Sequence, residues 1–244
     1  MAVGSVQTTS TVNNSSVGSQ GLLTTFTSTS GNLLLAAMSV FNSTSSPPIV
    51  FTSTLTWAEV LTGSNGIRDY ALWRSTSTGG TMTLIGEYTA DATGGMNVMV
   101  VTEISGHNGL GVVYSTTTAS GNSQALVGSI VPTSDNSAIY AFMYARGNAT
   151  DTRFTASGFA FATARAASAA GNAVVLHVWV NLDIGPAATV TGTWGSGGAG
   201  TFLGDRMMFW VEVKQNVVAG TFNYNLLEHR VMRGAGRGLM RGVA

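Results

Sequence analysis

Short apolar runs, each set off by turn residues, dominate the chain. LLLAAMSVF (Leu33–Phe41) follows Gly31-Asn32, SAIYAFMYA follows Asp135-Asn136, and AVVLHVWVNL follows Gly171-Asn172. Gly and Asn tolerate left-handed backbone, so each pair predicts a tight turn that launches a strand. In the third run Val174, Leu176, Val178 and Val180 face one way, and Val175, His177, Trp179 and Asn181 the other. Both sets are largely apolar, which predicts strands near the middle of a sandwich. Further strands are predicted at Leu22–Ser28, Leu55–Leu61, Ile67–Ser75, Met82–Tyr88, Asn97–Ser105, Gly111–Thr117, Ala125–Ile130, Thr189–Thr193 and Arg206–Gln215. Ala160–Ala170 (AFATARAASAA) has helix propensity but no apolar face, and reads as a loop or one short helix. Many short strands without helical periodicity predict an all-β fold, an antiparallel β-sandwich or a barrel. Its expected bounds are residues 21–225. The polar residues 1–20 are expected to form an N-terminal arm or edge strand, and residues 226–244 a short extended or helical C-terminal arm.

Composition narrows the setting. Of the 244 residues 44% are hydrophobic and only 9% charged, where about 25% charged is usual, and the formal net charge is 0. Soluble monomers use charge to stay apart. A chain this poor in charge is expected to be covered by neighbours or to present an inert surface. Cysteine is absent, which excludes disulfide and thiol chemistry. The N-terminal MAVGSVQTTSTVNNSS lacks a basic segment followed by an apolar core, so no secretory leader is expected. No apolar run approaches the roughly 20 residues that span a bilayer as a helix. Synthesis in a cytoplasm is the expectation, and the sequons at Asn14, Asn42 and Asn148 then carry no meaning.

Charge is also unevenly placed. Residues 226–244, LLEHRVMRGAGRGLMRGVA, carry Arg230, Arg233, Arg237 and Arg241 against Glu228, whereas everything before them has seven basic residues and ten acids. Spacings of three and four would align these arginines on one helical face, although four glycines among the last eleven residues each cost a helix up to about 1 kcal/mol. Arginine is suited to bidentate, desolvated contacts with carboxylates and phosphates. The segment is therefore expected to dock onto an acidic, partly apolar partner. Arg230, Arg233, Arg237 and Arg241 would form the polar contacts, and Leu226, Leu227, Val231, Met232 and Met240 the apolar ones. Nucleic acid is a poor fit, because four charges make a small phosphate footprint and no base-reading element lies beside them.

Candidate catalytic chemistry is sparse. His107, His177 and His229 are widely spaced, and eleven acids form no recognisable motif, so no metal or cofactor is expected. Gly195–Gly200 (GSGGAG) lacks the Lys and Ser/Thr of a phosphate loop. A glycosidase needs two carboxylates across a cleft, and no motif marks such a pair. Trp57, Trp73, Trp179 and Trp210 sit in strand patterns and read as core or subunit contacts. Trp194, beside the glycine loop, is the candidate for glycan stacking.

The run GNLLLAAMSVF, the Trp57 strand, DYALWRSTSTGGTMTLI, NVMVVTEISG and TSDNSAIYAFMYA together resemble the jelly-roll β-sandwich structural proteins of tailed-bacteriophage virions. The ending RVMRGAGRGLMRG is also similar to structural proteins of those phages. The resemblance spans roughly residues 20–215 as a style of strand and turn. It implies a non-enzymatic virion protein, with capsid decoration (an auxiliary or minor head protein) as the first expectation. Its partners would be the major capsid protein or other virion subunits, and its own state a homo-oligomer, with a trimer favoured. It would assemble in the host cytoplasm, without membrane. The alternatives are a tail component, a tail-tip receptor- or glycan-binding protein, and last a depolymerase.

Overall fold

The computed structural model describes residues 4–13, 18–41, 50–52, 54–64, 68–90, 97–118, 126–134, 136–146, 154–155, 159–169, 172–184, 189–194 and 206–216. All regular structure among them is β. The first eight strands are β1 Gly4–Asn13, β2 Gly18–Ser28, β3 Leu33–Phe41, β4 Val50–Thr52, β5 Ala58–Ser64, β6 Arg68–Thr76, β7 Gly80–Ala90 and β8 Asn97–Ser105. The second eight are β9 His107–Thr118, β10 Leu126–Ile130, β11 Ser137–Arg146, β12 Phe154–Thr155, β13 Phe159–Ala169, β14 Asn172–Ile184, β15 Val190–Trp194 and β16 Arg206–Gln215.

These strands pair antiparallel in four sheets. Two have five strands, β1-β8-β3-β6-β5 and β13-β14-β11-β16-β9; two have three, β2-β7-β4 and β10-β15-β12. Three apolar clusters order them into four layers. In the central cluster Leu33, Leu35, Ala37, Tyr70, Leu72, Val98, Val100 and Ile104 of one five-stranded sheet meet Ala138, Tyr140, Phe142, Tyr144, Met207, Phe209, Val211 and Val213 of the other. The opposite face of the first sheet, with Leu34, Ala36, Met38, Val40, Met99 and Val101, packs on Phe26, Met82 and Leu84 of β2 and β7. The opposite face of the second, with Ile139, Ala141, Met143, Met208 and Trp210, packs on Leu126, Ile130 and Val190 of β10 and β15.

The five-stranded sheets are thus inner layers whose central strands are buried on both faces, which is why β3, β8, β11 and β16 read as largely apolar runs. Burying each large aliphatic or aromatic side chain there contributes about 1.5–3 kcal/mol. Aromatic contacts lock the centre: Tyr70 meets Tyr144 edge-on at 5.3 Å, and the Phe142 and Phe209 rings lie 5.8 Å apart. The outer sheets alternate instead, with β10 buried at Leu126, Gly128 and Ile130 and exposed at Val127 and Ser129.

The expected all-β antiparallel sandwich is therefore present, built as four layers. Residues 4–13 form an edge strand beside β8. The loop or short helix expected at Ala160–Ala170 is instead strand β13, paired along its length with β14. Ladder bonds to an already formed neighbour outweigh the small intrinsic helix preference of its alanines. His107, read from sequence as part of a turn, opens β9.

A close approach shows how tightly the second outer sheet sits. A Cβ on Gly128 would lie 2.6 Å from Met208 Cε and 2.9 Å from the Trp210 ring. Gly128→Ala is expected to lower stability by about 1–3 kcal/mol, because the rigid indole cannot yield. Gly63→Ala, whose Cβ meets only the flexible Met207 Cε at 3.3 Å, should cost less. Equilibrium urea unfolding of both variants checks this; equal midpoints for the two would contradict the packing described.

Candidate functional site

The docking residues expected from sequence, Leu226, Leu227, Arg230, Val231, Met232, Arg233, Arg237, Met240 and Arg241, lie outside the described residues. Trp194 ends β15, where its backbone pairs with Leu126 on one side and Phe154 on the other; the placement of its side chain lies outside the description. Trp57 and Trp73 pack against the first outer cluster, and Trp210 is fully buried in the second. Trp210 is thus a core residue, as the strand pattern suggested, while Trp57 and Trp73 are half-buried at the margin of their cluster. His177 stands opposite Met143 and Ala164 in the β11 and β13 ladders. His107 accepts the Gly109 N–H at Nδ1 (3.2 Å), which leaves Nε2 to donate to the Gly31 carbonyl at 3.0 Å in the neutral ring. This bond ties the start of β9 to the β2–β3 turn.

Two buried carboxylates, not singled out by the sequence reading, organise the turns. Glu103 in β8 accepts from the Thr29 N–H and from Asn32 Nδ2, both at 2.7 Å, and so holds the turn that leads into β3. Glu212 in β16 accepts from Ser137 Oγ at 2.7 Å, from the Thr133 N–H and hydroxyl at 2.9 Å each, and from the Ser134 and Val112 N–H groups at 3.0 Å. Both residues are almost completely inaccessible to solvent. Burial pushes the Glu212 carboxyl upward, but the bonds from Ser137, Val112 and Thr133 outweigh it and hold its pKa below the ordinary carboxylate value. A carboxylate so engaged is poorly suited to proton transfer and well suited to fixing a turn. The sequence signal was an acid inside an otherwise apolar strand, in MVVTEIS and FWVEVKQ. Gly111 belongs to the same arrangement, since a Cβ there would collide with the Glu212 carboxylate.

Solvent meets the outer faces of the two outer sheets. On the first, exposed Thr25 and Thr27 pair across the ladder with Thr83 and Thr81 through hydroxyl–hydroxyl bonds of 3.2 and 2.8 Å. On the second, Thr191 reaches Ser129 at 3.5 Å, beside exposed Val127 and Val131. Among the described side chains, neither face carries a charge. Among the described residues no group of three or more His, Cys, Asp or Glu is placed to hold a metal, and no helix is long and apolar enough to cross a membrane. No family model matches the chain, and the searches of curated proteins and of solved structures give no match either.

Removing the Glu212 charge tests its role. Glu212→Gln keeps an acceptor but places an amide NH2 among five donors, so a loss of about 1–3 kcal/mol at pH 7 is expected. Because the folded pKa is depressed, the ionised group contributes its full stability above the unfolded value of about 4.3 and loses it as pH falls through the folded value. The variant's stability should therefore decline less steeply below about pH 4.3. Denaturation midpoints from pH 2 to 7 measure this, and parallel profiles for variant and parent would refute the assignment.

Proposed function

We propose that this chain is a non-enzymatic structural protein of a tailed-bacteriophage virion, most closely fitting capsid decoration. The observation that carries the reading is the pair of outer faces whose described side chains are uncharged, hydroxyl-lined at Thr25, Thr27, Thr81 and Thr83 and at Ser129 and Thr191, on a body with four sheet layers. Such faces suit close packing beside neutral neighbours, or a passive exterior. The strand orders support a jelly-roll reading of each half: β1-β8-β3-β6 opposite β2-β7-β4 is the pattern of interleaved Greek keys, as is β9-β16-β11-β14 opposite β10-β15-β12. On this reading the body packs beside its symmetry mates, a trimer being favoured. Residues 226–244 clamp the major capsid protein, with Arg230, Arg233, Arg237 and Arg241 supplying charge-assisted contacts and the leucines and methionines around them the apolar seal. An attachment formed only on the assembled shell stabilises that shell by linkage.

Deleting residues 226–244 is expected to leave a folded, soluble body that is missing from purified particles. Quantitative gel analysis of particles assembled with the truncated chain reads this directly. Incorporation at full occupancy would reject the clamp. A label on an exposed loop should appear in micrographs at regular positions over the head, and confinement to the tail or its tip would replace decoration by the tail reading.

A further inference from the structure

The two halves of the described chain follow one plan. Adding eight to each strand number turns β1-β8-β3-β6-β5 into β9-β16-β11-β14-β13, the other inner sheet, and turns β2-β7-β4 into β10-β15-β12, the other outer sheet. The sequence agrees at the places the plan demands. SQGLLTTFTSTSGN (residues 19–32) aligns without a gap on SQALVGSIVPTSDN (123–136), with six of the fourteen positions identical. Cross-strand partners also recur. Leu34 faces Glu103 and Met38 faces Met99 in the first half, while Ile139 faces Glu212 and Met143 faces Met208 in the second. Each glutamate stands six residues into its strand, counted from Asn97 or Arg206, and each receives the N–H of the equivalent threonine, Thr29 or Thr133. One detail differs: Asn136 adopts a left-handed backbone, whereas Asn32, its counterpart in the alignment, does not and follows the left-handed Gly31.

The halves bury corresponding faces against each other. The central cluster takes Leu33, Leu35 and Ala37 of β3 with Val98, Val100 and Ile104 of β8, and it takes the matching faces of β11 and β16 from the other side. A contact in which one patch meets its own counterpart is isologous, the geometry of a twofold homodimer. We infer that the chain is a tethered dimer of one eight-stranded unit, joined through Gly106, and that the inner-sheet face is a self-recognition surface whose partner is a second copy of that unit.

The strand ends give this a sharp test. Gly4 pairs with Ser105, Gln215 pairs with His107, and Gly106 alone separates Ser105 from His107. Two cross-strand steps of about 5.5 Å and one two-residue step of about 7 Å place Gly4 within about 18 Å of Gln215. A six-residue linker reaches roughly 20 Å. The first experiment replaces Gly106 in the full chain by a protease site and cuts it. The two fragments should stay together at the mass of the intact chain by light scattering, and should unfold in one transition whose midpoint rises with protein concentration, as a bimolecular complex requires. Separation at micromolar concentration, or two independent transitions, would overturn the inference. If the inserted site itself blocks folding, a circular permutant running 107–216, linker, 4–105 takes its place. The permutant should retain cooperative unfolding with a Tm within a few degrees of the same residues in native order. An unfolded or aggregated permutant would likewise overturn it.

Discussion

Everything in this structure hangs on the contact between the two inner sheets. Tyr70, Leu72, Val98 and Val100 on one side and Tyr140, Phe142, Tyr144 and Phe209 on the other exclude water from the middle of the molecule. Once that face is committed, the opposite faces of the same strands are still apolar and need covers of their own. The outer sheets supply them through Phe26, Met82 and Leu84 and through Leu126, Ile130 and Val190. Layer order is thus a consequence of strands that are apolar on both sides. A close-packed interior transmits the same demand to glycines: Gly128 leaves room for Met208 and Trp210, and Gly111 for the Glu212 carboxylate.

Inner strands with little polar surface leave few places for buried charge, and among the described residues Asp69, Glu103 and Glu212 are the acids buried there. Glu103 and Glu212 point toward the outer sheets and accept hydrogen bonds from the turns that precede β3 and β11. A buried charge is tolerable only with such partners. The molecule therefore uses carboxylates to set turns, while its outer faces are finished with paired hydroxyls. Outer faces whose described side chains are uncharged, together with carboxylates engaged in turn geometry, are the physical basis of the virion proposal.

Much of the sheet structure was legible in the sequence. β3, β8 and β16 are bounded as the apolar runs Leu33–Phe41, Asn97–Ser105 and Arg206–Gln215 indicated, because burial on both faces leaves no ambiguity about where the strand stops. Two-faced apolar runs also announced inner strands, but pattern alone does not say how many layers lie above them. β13 escaped because FAFATARAASA is held in place by pairing with β14, a long-range contact that local propensity does not encode. The turns TSGN and TSDN were visible as strand launchers. Their equivalence became clear only when both were found on a buried glutamate, since identity over a short polar stretch carries little weight without the shared partner. The cationic segment and Trp194 were conspicuous by composition, which registers charge and aromaticity but not placement.

The central claim is that a single shared core unites both inner sheets. Native-state hydrogen exchange on the full-length protein tests it most directly, since amides that open only by global unfolding report one common free energy. The account predicts that the slowest amides lie in β3, β8, β11 and β16 together, and that they respond in step to added denaturant. Exchange of β3 and β8 through an opening that leaves β11 and β16 protected would contradict it.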